Sequence, residues 1–267
     1  MNKKIAIIGN GYVGQAVHRY FKDHYTVVLY DPPQGFEDRG AVNECEMAVV
    51  CVPTPMDDDG SVDLSYVHGT FEWLRVPLVV IKSTVPPGTT RTLANEYPDL
   101  SIVFSPEYIG EGKYHTPTHK GYPHPTDMRQ HEFFIFGGKR ADTARAIDFF
   151  LPISGPDAKY IQTDTTTAEL TKYMENSWGA TKVTFANEFF EIARAFGVDY
   201  KELRELFLLD GRVERIHTAV FENKRGFGGK CFPKDVNGIV AVSAQAGYTP
   251  ELLVAVLTSN KKFGGES

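Results

Sequence analysis

The chain has 267 residues, 42% hydrophobic and 23% charged, which is enough for one large domain or two modest ones and excludes a disordered or fibrous chain. Lysine plus arginine is 28 against 34 for aspartate plus glutamate, a formal charge of −6 that argues against nucleic acid as the partner. The longest apolar runs, 47–53 and 76–81, are far too short for a membrane span, no signal peptide is visible, and three scattered cysteines suit neither a disulfide framework nor a zinc knuckle. A cytoplasmic protein without membrane contact is expected, in which any special cysteine acts as a thiol.

Lys4–Gly9 is an apolar run closed by Gly-Asn-Gly, and a helical pattern follows from Tyr12 to about Asp23. Tyr25–Tyr30 and Met47–Val52 are further runs, closed by Asp31-Pro-Pro and by Pro53-Thr54-Pro55. Leu64–Leu74 predicts a helix, Pro77–Lys82 a strand ending in Ser83-Thr84, Arg91–Glu96 a short helix and Ser101–Phe104 a strand before Ser105-Pro106-Glu107. These runs are apolar throughout rather than alternating, so they predict a parallel sheet buried on both faces by helices. Residues 110–131 break the rhythm with prolines, glycines and histidines and predict a long loop. Glu132–Phe136 predicts a strand, Ala141–Leu151 a helix and Asp157–Gln162 a last strand. From Asp164 the pattern is helical only: Thr165–Phe196, capped by Asp164 or a following threonine and stopped at Gly197, then Tyr200–Leu209, Asp235–Ala246 and Pro250–Lys262. The expected class is α/β, a parallel-sheet domain over 1–163 followed by an all-helical domain over 164–267.

Gly9-Asn-Gly11-Tyr12-Val13-Gly14 lies between the first strand and the first helix. Glycines there allow a tight turn, bring backbone amides to a pyrophosphate and let the helix pack on the strand, and the helix N-terminus adds partial positive charge. Asp31 ends the second strand, where a carboxylate would bond ribose hydroxyls and repel a 2′-phosphate. This is a Rossmann-type fingerprint, and it predicts NAD in preference to NADP, although Arg39 could reach the same region.

Five later segments carry polar groups at strand ends or in the helical part. They are Val52-Pro53-Thr54-Pro55, Lys82-Ser83-Thr84-Val-Pro-Pro-Gly88, Ser105-Pro-Glu107-Tyr108-Ile-Gly-Glu111, Ala168-Glu-Leu-Thr-Lys172-Tyr-Met-Glu-Asn176, and Gly226-Phe227-Gly228-Gly229-Lys230-Cys231-Phe-Pro-Lys234-Asp235. Lys172 and Asn176 are four apart and share a helix face, where an ammonium and an amide can hold an oxyanion. A glycine-rich loop can bring the Cys231 thiol and backbone amides close to a substrate, and Lys230 and Lys234 favour the thiolate. Cys45 and Cys51 are read as buried and inert.

Together and in this order, the segments and the fingerprint resemble the UDP-glucose/GDP-mannose dehydrogenase family over nearly the whole chain. The resemblance implies oxidation of a nucleotide-sugar primary alcohol to a carboxylate with two NAD. It casts Cys231 as nucleophile, Lys172 and Asn176 as oxyanion holders, Glu107 as the base that activates water, Thr84 and Asp235 as its helpers and Glu111 as support for Glu107. Cofactor contacts are expected from Gly9, Gly11, Tyr12, Val13, Gly14, Asp31, Pro53, Thr54, Ser83, Thr84 and Glu111. Substrate contacts are expected from Glu107, Tyr108, Lys172, Asn176, Phe227, Gly228 and Gly229, with Arg212 or Arg215 reaching in from a dimer partner. UDP-glucose is the favoured substrate.

The family continues into a further nucleotide-closing domain that the resemblance does not find in this chain. The loop from Gly112 to Arg129, with His115, His119 and His124, is read as a lid or contact segment, not a metal site. The apolar bulk of 165–196, including Leu170, Trp178, Phe185, Phe189 and Ile192, predicts a homodimer. Two other readings compete. A two-electron β-hydroxyacid-type dehydrogenase would use the lysine and asparagine but needs no Cys231. A shortened homologue could bind nucleotide with little turnover.

Overall fold

A computed structural model describes residues 3–109 and 127–265. The chain divides into two compact units, residues 1–55 with 62–172, and residues 56–61 with 173–267. The division falls inside one long helix, after Lys172.

The first unit is built on a seven-stranded sheet. Its strands are β1 (Lys4–Ile8), β2 (Thr26–Tyr30), β3 (Met47–Val50), β4 (Leu78–Ile81), β5 (Ser101–Phe104), β6 (Phe133–Gly137) and β7 (Lys159–Thr163), in the spatial order β2-β1-β3-β4-β5-β6-β7. Every residue of β3 and β4 is buried, as unbroken runs of Met, Ala, Val, Leu and Ile predict for strands covered on both faces. The first five strands are parallel, and their last residues lie level: Tyr30, Ile8, Val50, Ile81 and Phe104 are successive ladder partners. All that follows those residues therefore emerges at one edge of the sheet.

The all-parallel expectation needs correcting at one place. β6 runs antiparallel to β5, joined through the single pair Phe104–Gly137, and β7 then runs parallel to β6. A parallel step needs a crossover, usually helical, and the Pro- and Gly-rich sequence between these strands offers no helical pattern.

The helices of this unit are α1 (Tyr12–Phe21), α2 (Arg39–Asn43), α3 (Ser65–Phe71), α4 (Thr89–Glu96), α5 (Arg140–Ser154) and the start of α6 (Thr165–Ala195). One face of the sheet packs on α1 and α5 around Tyr20, Phe21, Phe134, Phe136 and Phe150, whose contacting ring pairs stand 4.9–5.9 Å apart. The other face buries Val42, Val67, Phe71, Leu74 and Leu93. Each such large apolar side chain contributes roughly 1.5–3 kcal/mol when fully buried. The sequence pattern missed α2, whose five residues are too few to show a period; Asp38 caps it by accepting the Ala41 amide at 2.9 Å.

The second unit is helical. It holds the rest of α6, α7 (Tyr200–Phe207), α8 (Phe232–Gln245) and α9 (Glu251–Lys262), with residues 56–61 beside them. Asp164 caps α6 through the Thr167 amide at 2.9 Å and hydroxyl at 2.6 Å, and the chain turns out of it at Gly197 with φ +69°. The core is small, gathered on Ala180, Phe227, Val236 and Val256. Much of α6 stays exposed: Met174, Trp178, Phe185 and Phe196 are at least half open to solvent. Among the described residues no helix is long and apolar enough to cross a membrane.

Candidate active site

The candidate residues fall into two sets, one in each unit. In the first unit, the turn after β1 begins at Gly9 with φ +89°, where a Cβ would come within 2.6 Å of the Cys51 carbonyl oxygen. A Cβ on Gly14 would collide with the Gly9 carbonyl oxygen. Gly11 starts α1 with open space around it, and no side chain caps that helix. Asp31, at the end of β2, accepts the Asn10 amide at 2.7 Å, and the buried Asn10 Oδ1 has no hydrogen-bond partner. These residues fit a dinucleotide. The turn admits no side chain where the backbone must approach, the start of α1 faces open space, and a carboxylate stands at the ribose end. Tyr12 is partly exposed, while Val13 packs on the core. Arg39 is engaged beside this site, its Nε on the Tyr30 hydroxyl at 3.0 Å and its guanidinium 5.0 Å from the Trp73 ring.

Pro53, Thr54, Ser83 and Thr84 follow the level ends of β3 and β4, and Ser83 donates to the Val52 carbonyl at 2.7 Å. Past β5, Glu107 is buried, 8% exposed; its Oε2 accepts the Ile109 amide at 2.7 Å and its Oε1 lies 3.4 Å from Lys172 Nζ on α6. The Lys172 ammonium also stands 5.4 Å from the Tyr108 ring. A base and an ammonium predicted from separate segments are thus brought together. Glu111 and the histidines His115, His119 and His124 lie outside the described residues. Among the described residues, no cluster of three or more metal-ligating side chains occurs.

Sequence reasoning passed over Lys82. It is 2% exposed, and its Nζ donates to the Ser105 hydroxyl (3.1 Å) and the Ser105 and Pro106 carbonyls (3.3 and 3.4 Å), holding the segment that leads into Glu107. Burial brings its pKa down to about 8. A small cavity of about 10 Å³ is lined by Lys82, Glu107, Tyr108 and His131, and burial brings the His131 imidazole down to about 4. A lysine closing an apolar strand run was the available signal. Glu169 was also missed. Fully buried, it accepts the Gly88 and Thr90 amides at 2.5 and 2.8 Å and so caps α4 from α6.

In the second unit Cys231 is the N-cap residue of α8, half-buried. Asp235, one turn on and 1% exposed, accepts the Asn176 amide at 2.5 Å and pairs with the Lys234 ammonium. The Phe232 ring packs against His217, 5.3 Å between centroids, and both crowd Gly179 of α6, where a Cβ would meet the Phe232 ring at 2.6 Å. His217 carries φ +65°, the one non-glycine residue with positive φ among those described. Phe227 is buried and bonded to Asn260, whereas Gly228, Gly229 and Lys230 are exposed. Arg212 pairs with Asp210 and Arg215 with Glu205, both at 2.6 Å on the surface. The other two cysteines are poor nucleophiles: burial pushes Cys45 up to about 11 and Cys51 up to about 12.

Two family models match the chain. The NAD-binding domain of the UDP-glucose/GDP-mannose dehydrogenase family matches residues 36–121, and the central domain of the same family matches residues 166–262. A UDP-glucose 6-dehydrogenase of Rickettsia bellii is 31% identical over 227 residues, 81% of this chain and 49% of that protein. A UDP-glucose dehydrogenase structure from Pyrobaculum islandicum superposes with a TM-score of 0.80 at 27% identity, covering 98% of this chain and 68% of that one. A UDP-D-ManNAc dehydrogenase from Pyrococcus horikoshii gives 0.78 at 25% identity, with 97% and 68% covered. The chain spans about half the length of most of the curated relatives it matches.

Proposed function

The chain belongs to the UDP-glucose/GDP-mannose dehydrogenase family, and on that premise we propose that it oxidises the primary alcohol of a nucleotide sugar to a carboxylate, with UDP-glucose as the favoured substrate. The observation that carries this reading is the placement of Cys231 at the start of α8, one turn before an Asp235 that is bonded to Asn176. A two-electron dehydrogenase has use for the lysine and the asparagine but not for that thiol.

Bound NAD, one molecule for each step, takes up the two hydrides. Gly9–Gly14 and Asp31 would hold it, with Pro53, Thr54, Ser83 and Thr84 at the neighbouring strand ends. In the first oxidation the hydroxyl gives up its proton and the carbon becomes an aldehyde. Cys231 Sγ then adds to the aldehyde carbon, forming a thiohemiacetal whose oxygen carries the developing charge. Lys172 and Asn176 stabilise that oxyanion. Loss of the second hydride leaves a thioester on Sγ. Glu107 takes the proton of an attacking water, the C–S bond breaks, and the thiolate leaves the carboxylate product. Thr84 and Asp235 hold the water or assist the proton, and Glu111 supports Glu107. Phe227, Gly228, Gly229 and Tyr108 bind the nucleotide sugar. Either Arg212 or Arg215 completes the site of a partner subunit; replacing each with alanine should raise the sugar-nucleotide KM for one of them only.

The test is NADH release from a panel of UDP- and GDP-sugars. Two NADH per UDP-glucose are expected, and Cys231→Ser should abolish formation of the acid. One NADH per sugar in the native enzyme would point to the two-electron chemistry. No release with any sugar would leave a nucleotide-binding homologue.

A further inference from the structure

The three exposed residues Gly228-Gly229-Lys230 join two fixed points, Phe227 and the start of α8 at Cys231. The backbone of Phe227 is held by a single side chain on α9. Asn260, fully buried, accepts the Phe227 amide through Oδ1 at 2.7 Å and donates through Nδ2 to the Phe227 carbonyl at 2.9 Å. One side-chain amide thus satisfies both polar groups of one residue, as a strand neighbour would.

The approach is close on every side. Gly226 adopts φ +69°, and a Cβ there would fall 2.5 Å from Asn260 Oδ1 and 3.0 Å from Gly265 Cα. The preceding residues are tied down by a second asparagine, on α6. Asn187 Oδ1 accepts Arg225 Nε at 2.6 Å and the Gly226 amide at 3.3 Å, and the Arg225 guanidinium lies 4.3 Å from the Phe190 ring. The Phe227 side chain enters the small core with Ala180, Val236 and Val256. Arg225–Phe227 is therefore tied down at every residue, while the next three residues are exposed.

We infer that Asn260 is a positioning residue for the glycine loop: by clamping the Phe227 peptide groups it sets where the loop begins, and hence the path that leads to Cys231. The inference rests on the proposed role of Cys231 as nucleophile. Asn260 acts through the Phe227 peptide groups, which it bonds on both sides. A ladder-like clamp is needed because glycines following Phe227 supply no conformational restraint of their own.

The test compares the native full chain with Asn260→Leu, which is nearly isosteric and makes neither bond, and with Asn260→Asp, which keeps an acceptor for the Phe227 amide but loses the donor to its carbonyl. Iodoacetamide labelling of each cysteine is followed by mass spectrometry, alongside helical circular dichroism and steady-state kinetics with UDP-glucose. Two buried groups left unpaired should make local opening about ten- to a hundredfold more frequent, so Cys231 labelling should accelerate by about tenfold or more in Asn260→Leu. Asn260→Asp should fall between the two. Circular dichroism should stay native, Cys45 and Cys51 should stay unlabelled, and the UDP-glucose KM should rise severalfold. Native labelling of Cys231 and a native KM in a folded Asn260→Leu would overturn the inference. So would loss of helical signal in both variants, because Asn260 would then be a general core residue. If the native chain releases no NADH, the proposed function fails, yet the labelling comparison still decides the role of Asn260.

Discussion

A buried lysine is costly, and Lys82 shows what holds it. Its three hydrogen bonds go to one hydroxyl and two carbonyls of Ser105 and Pro106, dipoles rather than charges. Desolvation therefore dominates and lowers its pKa from 10.5 to about 8. A depressed folded pKa means that the unfolded chain binds more protons between pH 8 and 10.5. Stability from this group is present above the unfolded pKa and is lost as pH falls through the folded one. The difference amounts to about 3 kcal/mol at most. In Lys82→Met the gain in stability between pH 7 and pH 10.5 should shrink by an amount of that order relative to the native chain, as urea unfolding at the two values would show. The same substitution releases Ser105 and Pro106, so the water activation proposed for Glu107 should slow more than sugar binding weakens.

At the scale of elements, α4 and α6 are locked by Glu169. Gly88 enters α4 at φ +97° without a side-chain cap of its own, and the Glu169 carboxylate supplies the acceptor that a serine or aspartate at that position would have given. Lys172 lies one turn further along α6, so this cap ties the β4–α4 segment, with Ser83 and Thr84, to the helix that carries Lys172. Glu169→Ala leaves two buried amides unpaired and should lower unfolding stability by about 1–3 kcal/mol, with Glu169→Gln intermediate, in denaturant titrations. Contacts of this length explain what the sequence could and could not say. Six of the seven strands were readable as apolar runs, and Gly9–Gly14 with Asp31 as a turn and a strand end, because each signal is local. The roles of Lys172, Asn176 and Cys231 were read through the family resemblance. The work of Lys82, Glu169 and Asn260 was not readable, since each bonds to backbone 23 to 81 residues away and no period or spacing marks it. The direction of β6 was equally hidden, because an apolar strand reads the same both ways.

For the whole molecule, the exposed apolar side chains of α6 decide the assembly we propose. Leu170, Met174 and Trp178 are spaced by four, and Phe185, Phe189, Ile192 and Phe196 by three or four, so they form stripes along the helix. Phe185 and Phe189 meet as a tilted pair, 4.6 Å between centroids, with both rings partly open to water. Stripes of this kind suit burial against a second copy. Light scattering should give a dimer, and Trp178→Glu with Phe185→Glu should give a monomer that keeps its helical circular dichroism.

Because β5 and β6 share a single ladder pair, the sheet should come apart as two plates rather than strand by strand. The five parallel strands form one plate, and β6, α5 and β7 form a second whose own ladder is continuous. Side chains, not backbone, glue the plates: Phe150 on α5 meets Tyr20 and Phe21 of α1 as well as Phe134 and Phe136 of β6. Thinning that glue with Phe150→Leu, at a cost of about 1 kcal/mol, should raise amide exchange across β6 and β7 together while β1, β3 and β4 stay protected. The seam adjoins the strand that delivers Glu107, so slippage of the plates would be felt first at that carboxylate.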